Sequence, residues 1–188
     1  MNKFLSSVLC LFFLGLLLTG CHYRFGYGDL ASRHQTISVP FIEGDKEGRL
    51  TAELVRKLST SGAFKVVNTG GDLVVKVKII DLDDINIGFR YDRHKTGRLK
   101  KTLIPAETRV KGTVELVVLN TSTQQIVRGP VTIVAAVDFD HDFYSTRNAE
   151  NIFSLGQLSD IDVAQEVAMG SLNKVLADKI GDYIISSW

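Results

Sequence analysis

Few side chains in this sequence are spaced to do chemistry, and the most suggestive group is Asp138-Phe139-Asp140-His141-Asp142. Carboxylates alternating around an imidazole could offer oxygen and nitrogen donors to a divalent cation. The run lacks the glycine and the distant glutamate of a calcium loop. It is therefore expected to be a charged strand end that runs into a loop. His22, His34 and His94 stand alone in stretches expected to be tether or loop. There is no Gly-rich phosphate loop, no Gly-x-Ser-x-Gly elbow and no His-Glu-x-x-His. The chemistry these residues suggest is not that of an enzyme.

One residue is expected to have a covalent role. Met1-Asn2-Lys3 gives a short positive start, Phe4 to Leu18 is an uncharged apolar run, and Leu18-Thr19-Gly20 leads into Cys21. This is the layout of a secretory signal, because the apolar run falls short of the roughly 20 residues that cross a bilayer. The end of the signal matches the lipobox of bacterial lipoproteins. There the thiol receives a diacylglycerol, the signal is cut off, and the new terminus is acylated. Residues 1–20 are thus expected to be removed, and Cys21 to carry N-acyl and S-diacylglycerol lipid as its only added group. An ordinary signal with a chance cysteine, or an uncleaved anchor, is the competing reading. His22 follows, rather than the aspartate that retains many lipoproteins at the inner membrane, which favours outer-membrane sorting. With Cys10 lost and Cys21 acylated, no disulfide can support the fold.

The positioning elements must come from the remaining chain. The expected organisation is a lipidated tether over residues 21–35 and a single domain over 36–188. Removal of Lys3 with the signal leaves 21 basic against 21 acidic residues, too neutral for a general nucleic-acid binder. The charge is nonetheless unevenly placed. Arg90, Arg93, Lys95, Arg98, Lys100, Lys101, Arg109 and Lys111 face only Asp92 and Glu107 in the same stretch, whereas nine acids and three bases lie from Asp138 to Asp182. Such blocks can steer a charged partner.

Patterning predicts a strand over Thr36–Phe41 and an amphipathic helix over about Glu47–Ser61, striped by Leu50, Leu54 and Leu58 and ended by Gly62. A short strand follows over Phe64–Val67, then a turn. Leu73, Val75, Val77 and Ile79 alternate with Val74, Lys76 and Lys78, the mark of a strand with one wet face that resumes through Tyr91. Asp92 to Lys101 reads as a polar hairpin tip. In the returning strand Val110, Val114, Leu116 and Val118 oppose Arg109, Lys111, Thr113 and Glu115. A turn at Asn120–Gln125 and a last strand to Phe139, bent at Gly129-Pro130, complete the sheet. Asp140–Gln157 reads as loop, and Ser159–Ser186 as a long helix with Ser159 and Asp162 near its start. The expected class is α+β: a mostly antiparallel four- to five-stranded sheet with two amphipathic helices packed on one face.

In this order and spacing the chain resembles the LptE-type lipopolysaccharide-assembly lipoproteins. The resemblance is carried by Gly20-Cys21-His22-Tyr23-Arg24-Phe25 at the mature start and the Ile37-Ser38-Val39-Pro40-Phe41 strand. The leucine-striped helix, the Tyr91-to-Arg98 turn and the strand Arg109-Val110-Lys111-Gly112-Thr113-Val114-Glu115-Leu116 continue it. His22 in place of the usual glycine, and Asn120-Thr121-Ser122-Thr123 without the common Thr-Gly and tryptophan, mark a divergent member. The resemblance implies a non-catalytic outer-membrane lipoprotein that helps an LptD-type β-barrel fold, plugs its lumen and aids lipopolysaccharide delivery. Arg90, Arg93, Lys95, Arg98, Lys100 and Lys101 are then the expected contacts for lipopolysaccharide or the barrel wall, since guanidinium forks hold phosphates and carboxylates bidentately. The rival class is a periplasmic lipoprotein cofactor of a cell-wall synthase or secretion pore, for which a longer tether is expected.

Overall fold

A computed structural model of the protein describes residues 28–94, 96–143 and 161–186. The signal, Cys21, the aromatic tether residues, Lys95, Ser159 and most of the expected Asp140–Gln157 loop lie outside these residues. In chain order the elements are α1 (Asp29–Arg33), β1 (Thr36–Ser38), α2 (Arg49–Ser61), β2 (Lys65–Val67), β3 (Leu73–Arg93), β4 (Leu99–Asn120), β5 (Ile126–Asp140) and α3 (Ile161–Ser186). The strands form one sheet in the order β2-β1-β3-β4-β5. β1 pairs parallel with both β2 and β3, and the β3–β4–β5 ladders are antiparallel. This is the expected α+β class, with a short parallel corner on a mostly antiparallel sheet.

Alternation selects the buried face as expected. Leu73, Val75 and Val77 of β3 are buried with Val110, Val114, Leu116 and Val118 of β4. α2 places Leu50, Leu54 and Leu58 against this face, each fully buried. Its first turn is held from outside, because the buried Asp45 carboxylate accepts bonds from both the Thr51 backbone N–H (2.8 Å) and hydroxyl (2.7 Å). α3 adds Ala164, Ala168, Leu172, Leu176, Ala177, Ile180 and Ile184. Its buried stripe runs through Leu176 and Ile180, while Val175 and Tyr183 beside it are half-buried.

Two glycines let the layers approach. A Cβ on Gly112 would stand 3.0 Å from Leu176 Cδ1 and 3.3 Å from Leu172 Cδ2, so α3 lies directly on the bare backbone of β4. At Gly181 the Lys57 stem of α2 crosses α3, and its ammonium reaches Asp178 (3.3 Å) and Asp182 (2.9 Å). Within residues 28–35, expected as tether, α1 forms a single turn whose Leu30 is buried, and the Gly28 N–H donates to the Ile185 carbonyl of α3. None of the described helices is long and apolar enough to cross a membrane.

β3 and β4 run far past this core. The contiguous core takes in β3 only to Ile79 and β4 only from Val110 onward. Past Asp84 and its ladder partner Val110 the hairpin continues to Arg93 and back from Leu99, about 30 Å of strand at 3.3 Å per residue. The tip is also tighter than the expected Asp92–Lys101 span. Asp92, Arg93, Leu99, Lys100 and Lys101 are all strand, and the turn closes at His94–Arg98 through His94 N–H to Arg98 O (2.8 Å) and Gly97 N–H to His94 O (2.8 Å). Gly97 supplies the positive φ (83°) this turn needs.

Candidate functional site: the distal hairpin arm

The arm begins where the ladder first slips. Between β3 and β4 the register is regular from Leu73↔Asn120 to Ile79↔Val114, then shifts at Ile79/Asp81, Asn86/Gly88, Gly88/Phe89 and Tyr91/Arg93. Bulges of this kind raise local twist and re-aim side chains. Beyond them the two faces of the arm differ in character.

On one face Phe89, Tyr91 and Arg93 of β3 lie across from Pro105, Leu103 and Leu99 of β4. Phe89, Tyr91, Leu99 and Leu103 are each more than half exposed, with Arg93 and Lys101 among them. An open groove of about 530 Å³ lies here, lined by Arg90, Tyr91, Arg93 and Leu99. On the other face Asp92 and Ile104 are buried. The Lys100 ammonium sits 2.6 Å from an Asp92 carboxylate oxygen, and Arg90 Nη2 lies 3.2 Å from Oδ1 of the buried Asp142.

The basic residues expected to act together are thus divided. Arg90 and Lys100 are committed to buried acids, which they neutralise. Arg93 donates to the Gly97 carbonyl (3.1 Å), within the turn. Arg98 and Lys101 are exposed and make no ion pair among the described residues, and Lys95 lies outside them. The cations left facing solvent are Arg93, Arg98 and Lys101, set beside an apolar surface rather than in a uniform basic patch. Sequence reasoning passed over that surface because it counted charges. The alternations Phe89-x-Tyr91-x-Arg93 and Leu99-x-Lys101-x-Leu103 did hold the signal.

The Asp138–Asp142 run ends β5 against the arm and is taken up in local contacts. Asp138 receives a two-pronged bond from Arg109 (2.6 and 2.7 Å), which holds its carboxyl below the usual carboxylate range. The expected charged strand end is found at Asp138 and Asp140, where β5 stops, and the two residues after it, His141 and Asp142, are buried. His141 bonds Thr108, not a cation, and among the described residues no group of His, Cys, Asp or Glu is arranged to hold a metal.

Known proteins give this architecture a context. The chain is similar to a minor lipoprotein from Acinetobacter baumannii at 13% identity, covering 82% of this chain and 96% of that one with a TM-score of 0.46. It is similar to the rare lipoprotein B from Shewanella oneidensis at 18% identity, covering 80% and 90% with a TM-score of 0.43. A lipoprotein B from Nitrosomonas europaea aligns at 13% identity over 80% and 82%, with a TM-score of 0.47. No curated protein matches the chain significantly. The assignment rests on the sequence itself, because the model of the LptE family, described as lipopolysaccharide-assembly, matches residues 34–184 and so takes in β1 through α3. The chain belongs to the LptE lipopolysaccharide-assembly family, a non-enzymatic lipoprotein family with no known cofactor.

Proposed function

We propose that the protein is anchored in the outer membrane through lipid on Cys21, supports assembly of an LptD-type β-barrel, plugs its lumen, and aids lipopolysaccharide delivery to the surface. The signal (1–20), tether (21–35) and domain (36–188) divide the chain accordingly. The observation that carries this reading is the arm, a stalk of about 30 Å that leaves the core and presents an amphipathic face. A short-tethered body could sit in a barrel lumen while such a stalk reaches along it. Phosphates and carboxylates of lipopolysaccharide would meet Arg93, Arg98 and Lys101, with Lys95 between them in sequence. Guanidinium forks suit those groups, and exposed apolar side chains in a contiguous patch commonly mark a contact surface.

Affinity purification of the full-length lipoprotein from outer membranes tests the partner. A large β-barrel protein recovered in near-equal amount is the expected result. Recovery of a cell-wall synthase would overturn the reading in favour of the rival lipoprotein class. Charge reversal at Arg93, Arg98 and Lys101 together is expected to weaken binding to purified lipopolysaccharide in vitro. Unchanged binding would reduce the arm's basic residues to scaffold.

A further inference from the structure

Where β5 ends, its last residues clasp both strands of the arm. The His141 backbone N–H donates to the Ala106 carbonyl of β4 (3.0 Å), and its ring Nε2 lies 2.9 Å from Thr108 Oγ1. The Thr108 hydroxyl donates in turn to Asn86 Oδ1 of β3 (2.8 Å). Since that hydroxyl has a single proton and gives it to Asn86, the imidazole must carry its own proton on Nε2 and donate to Thr108. Nδ1 is then a bare acceptor, and it is buried with no hydrogen-bond partner. The ring is fully buried, with Phe139 tilted against it at 5.7 Å between centroids. The next residue, Asp142, reaches Arg90 on β3. One neutral histidine thus joins three strands at the base of the arm.

We propose that His141 is an acid-released latch: neutral, it fixes the arm to the end of β5, and protonated at Nδ1 it lets the β5 end and the Asp142–Arg90 contact come away from the arm. The added proton would place a buried N–H at Nδ1, where no hydrogen-bond partner stands. The charged groups that bear on the ring are Arg90 from β3, which opposes its protonation, and Asp140 and Asp142 on its own segment, which favour it. β4 faces the ring with the neutral Thr108. Burial, then Arg90, outweigh the two carboxylates and hold the imidazole pKa below its ordinary value. A depressed pKa means the latch is intact above about pH 6.5 and weakens as pH falls through that value toward the folded-state pKa. Release would also uncover Arg90 and add a cation to the arm. The latch stands whatever the arm binds.

The test is amide hydrogen exchange on the full lipidated chain in detergent micelles, from pH 7.5 to 5.0 and corrected for intrinsic rates. Opening at residues 84–93, 99–108 and 138–143 is expected to rise by up to about tenfold per pH unit below 6.5, while residues 73–77 stay protected. His141→Gln keeps a donor for Thr108 without a titrating group, and is expected to flatten the response. His94→Gln, in the turn of the arm, is expected to leave it unchanged. A pH response that persists in His141→Gln overturns the latch. Should that variant open the arm at every pH, the wild-type ring decides by NMR. Titration of His141 in step with arm opening supports the latch, and titration near 6.5 with the arm unmoved overturns it.

Discussion

β3 and β4 are single strands with two lives. From Leu73 to Ile79 and from Val110 to Asn120 they are the middle of a sheet covered by α2 and α3, and their inward side chains are buried. From Ile80 to Arg93 and back from Leu99 the same strands leave the helices behind, and Ile80, Leu82, Ile85, Phe89, Tyr91, Leu99 and Leu103 are each about half exposed. Apolar side chains occur in both halves. Cover separates them. The body covers its apolar surface with its own helices, whereas the arm leaves it open. Every slip in the β3–β4 ladder falls in the arm, where added twist makes an uncovered sheet a poorer template for edge-to-edge pairing.

The sharpest way to break this comparison is to remove one side chain from each half. Leu116→Ala empties a fully buried site beneath the helices and is expected to lower the unfolding free energy by about 2–5 kcal/mol. Leu103→Ala in the arm is expected to change it by no more than about 0.5 kcal/mol. Urea unfolding measures both. Similar losses would mean that the arm has cover within the chain, and the division would fall.

A smaller effect tests the helix layer itself. Gly112→Val would drive a branched side chain into Leu172 and Leu176, costing about 1–3 kcal/mol by overpacking. Gly170→Ala, on the open side of the same helix with nothing within 4 Å of a new Cβ, should instead stabilise the protein by about 0.5–1 kcal/mol. Thermal unfolding of the pair separates close packing from helix propensity. Opposite signs are expected only if α3 lies on β4 as described.

The body was legible in the sequence because each of its elements carries its own period. Leu50, Leu54 and Leu58 announce α2, and the alternation from Leu73 to Ile79 announces both a strand and its wet face. The arm was legible as a hairpin but not in its extent. Asp92 and Lys100 look like tip residues by polarity, yet both lie inside the strands, where buried Asp92 pairs with half-buried Lys100. Polarity predicts exposure only where the partner is water, and here each charge has the other. The candidate site was read from charge alone, so Arg90 and Lys100 were grouped with cations that do face solvent. Their acceptors, Asp142 and Asp92, lie 52 and 8 residues away. Nothing in local spacing brings Asn86, Thr108 and His141 together, because their meeting depends on how three strands register past a bulge.

The two halves should also respond to acid in separate windows. At the base of the body Asp72 accepts the backbone N–H groups of Gln35 and Thr36, both at 3.0 Å, and ties the start of β1 to the start of β3. The bonds from Thr36 and then Gln35 hold its carboxyl below the usual carboxylate value. A depressed acid contributes stability that is present above about pH 3.9 and is lost as pH falls through the folded-state pKa. Asp72 is exposed, so its share is screened and the expected effect is the smallest here. Acid unfolding followed by circular dichroism should show Asp72→Asn with a shallower loss of stability below pH 4 and an unchanged profile from pH 7 to 5. If loosening of the arm between pH 7 and 5 also disappears in Asp72→Asn, the halves are one cooperative unit. If it persists, the sheet has two acid-sensitive joints, a carboxylate at the base of the body and a histidine at the base of the arm.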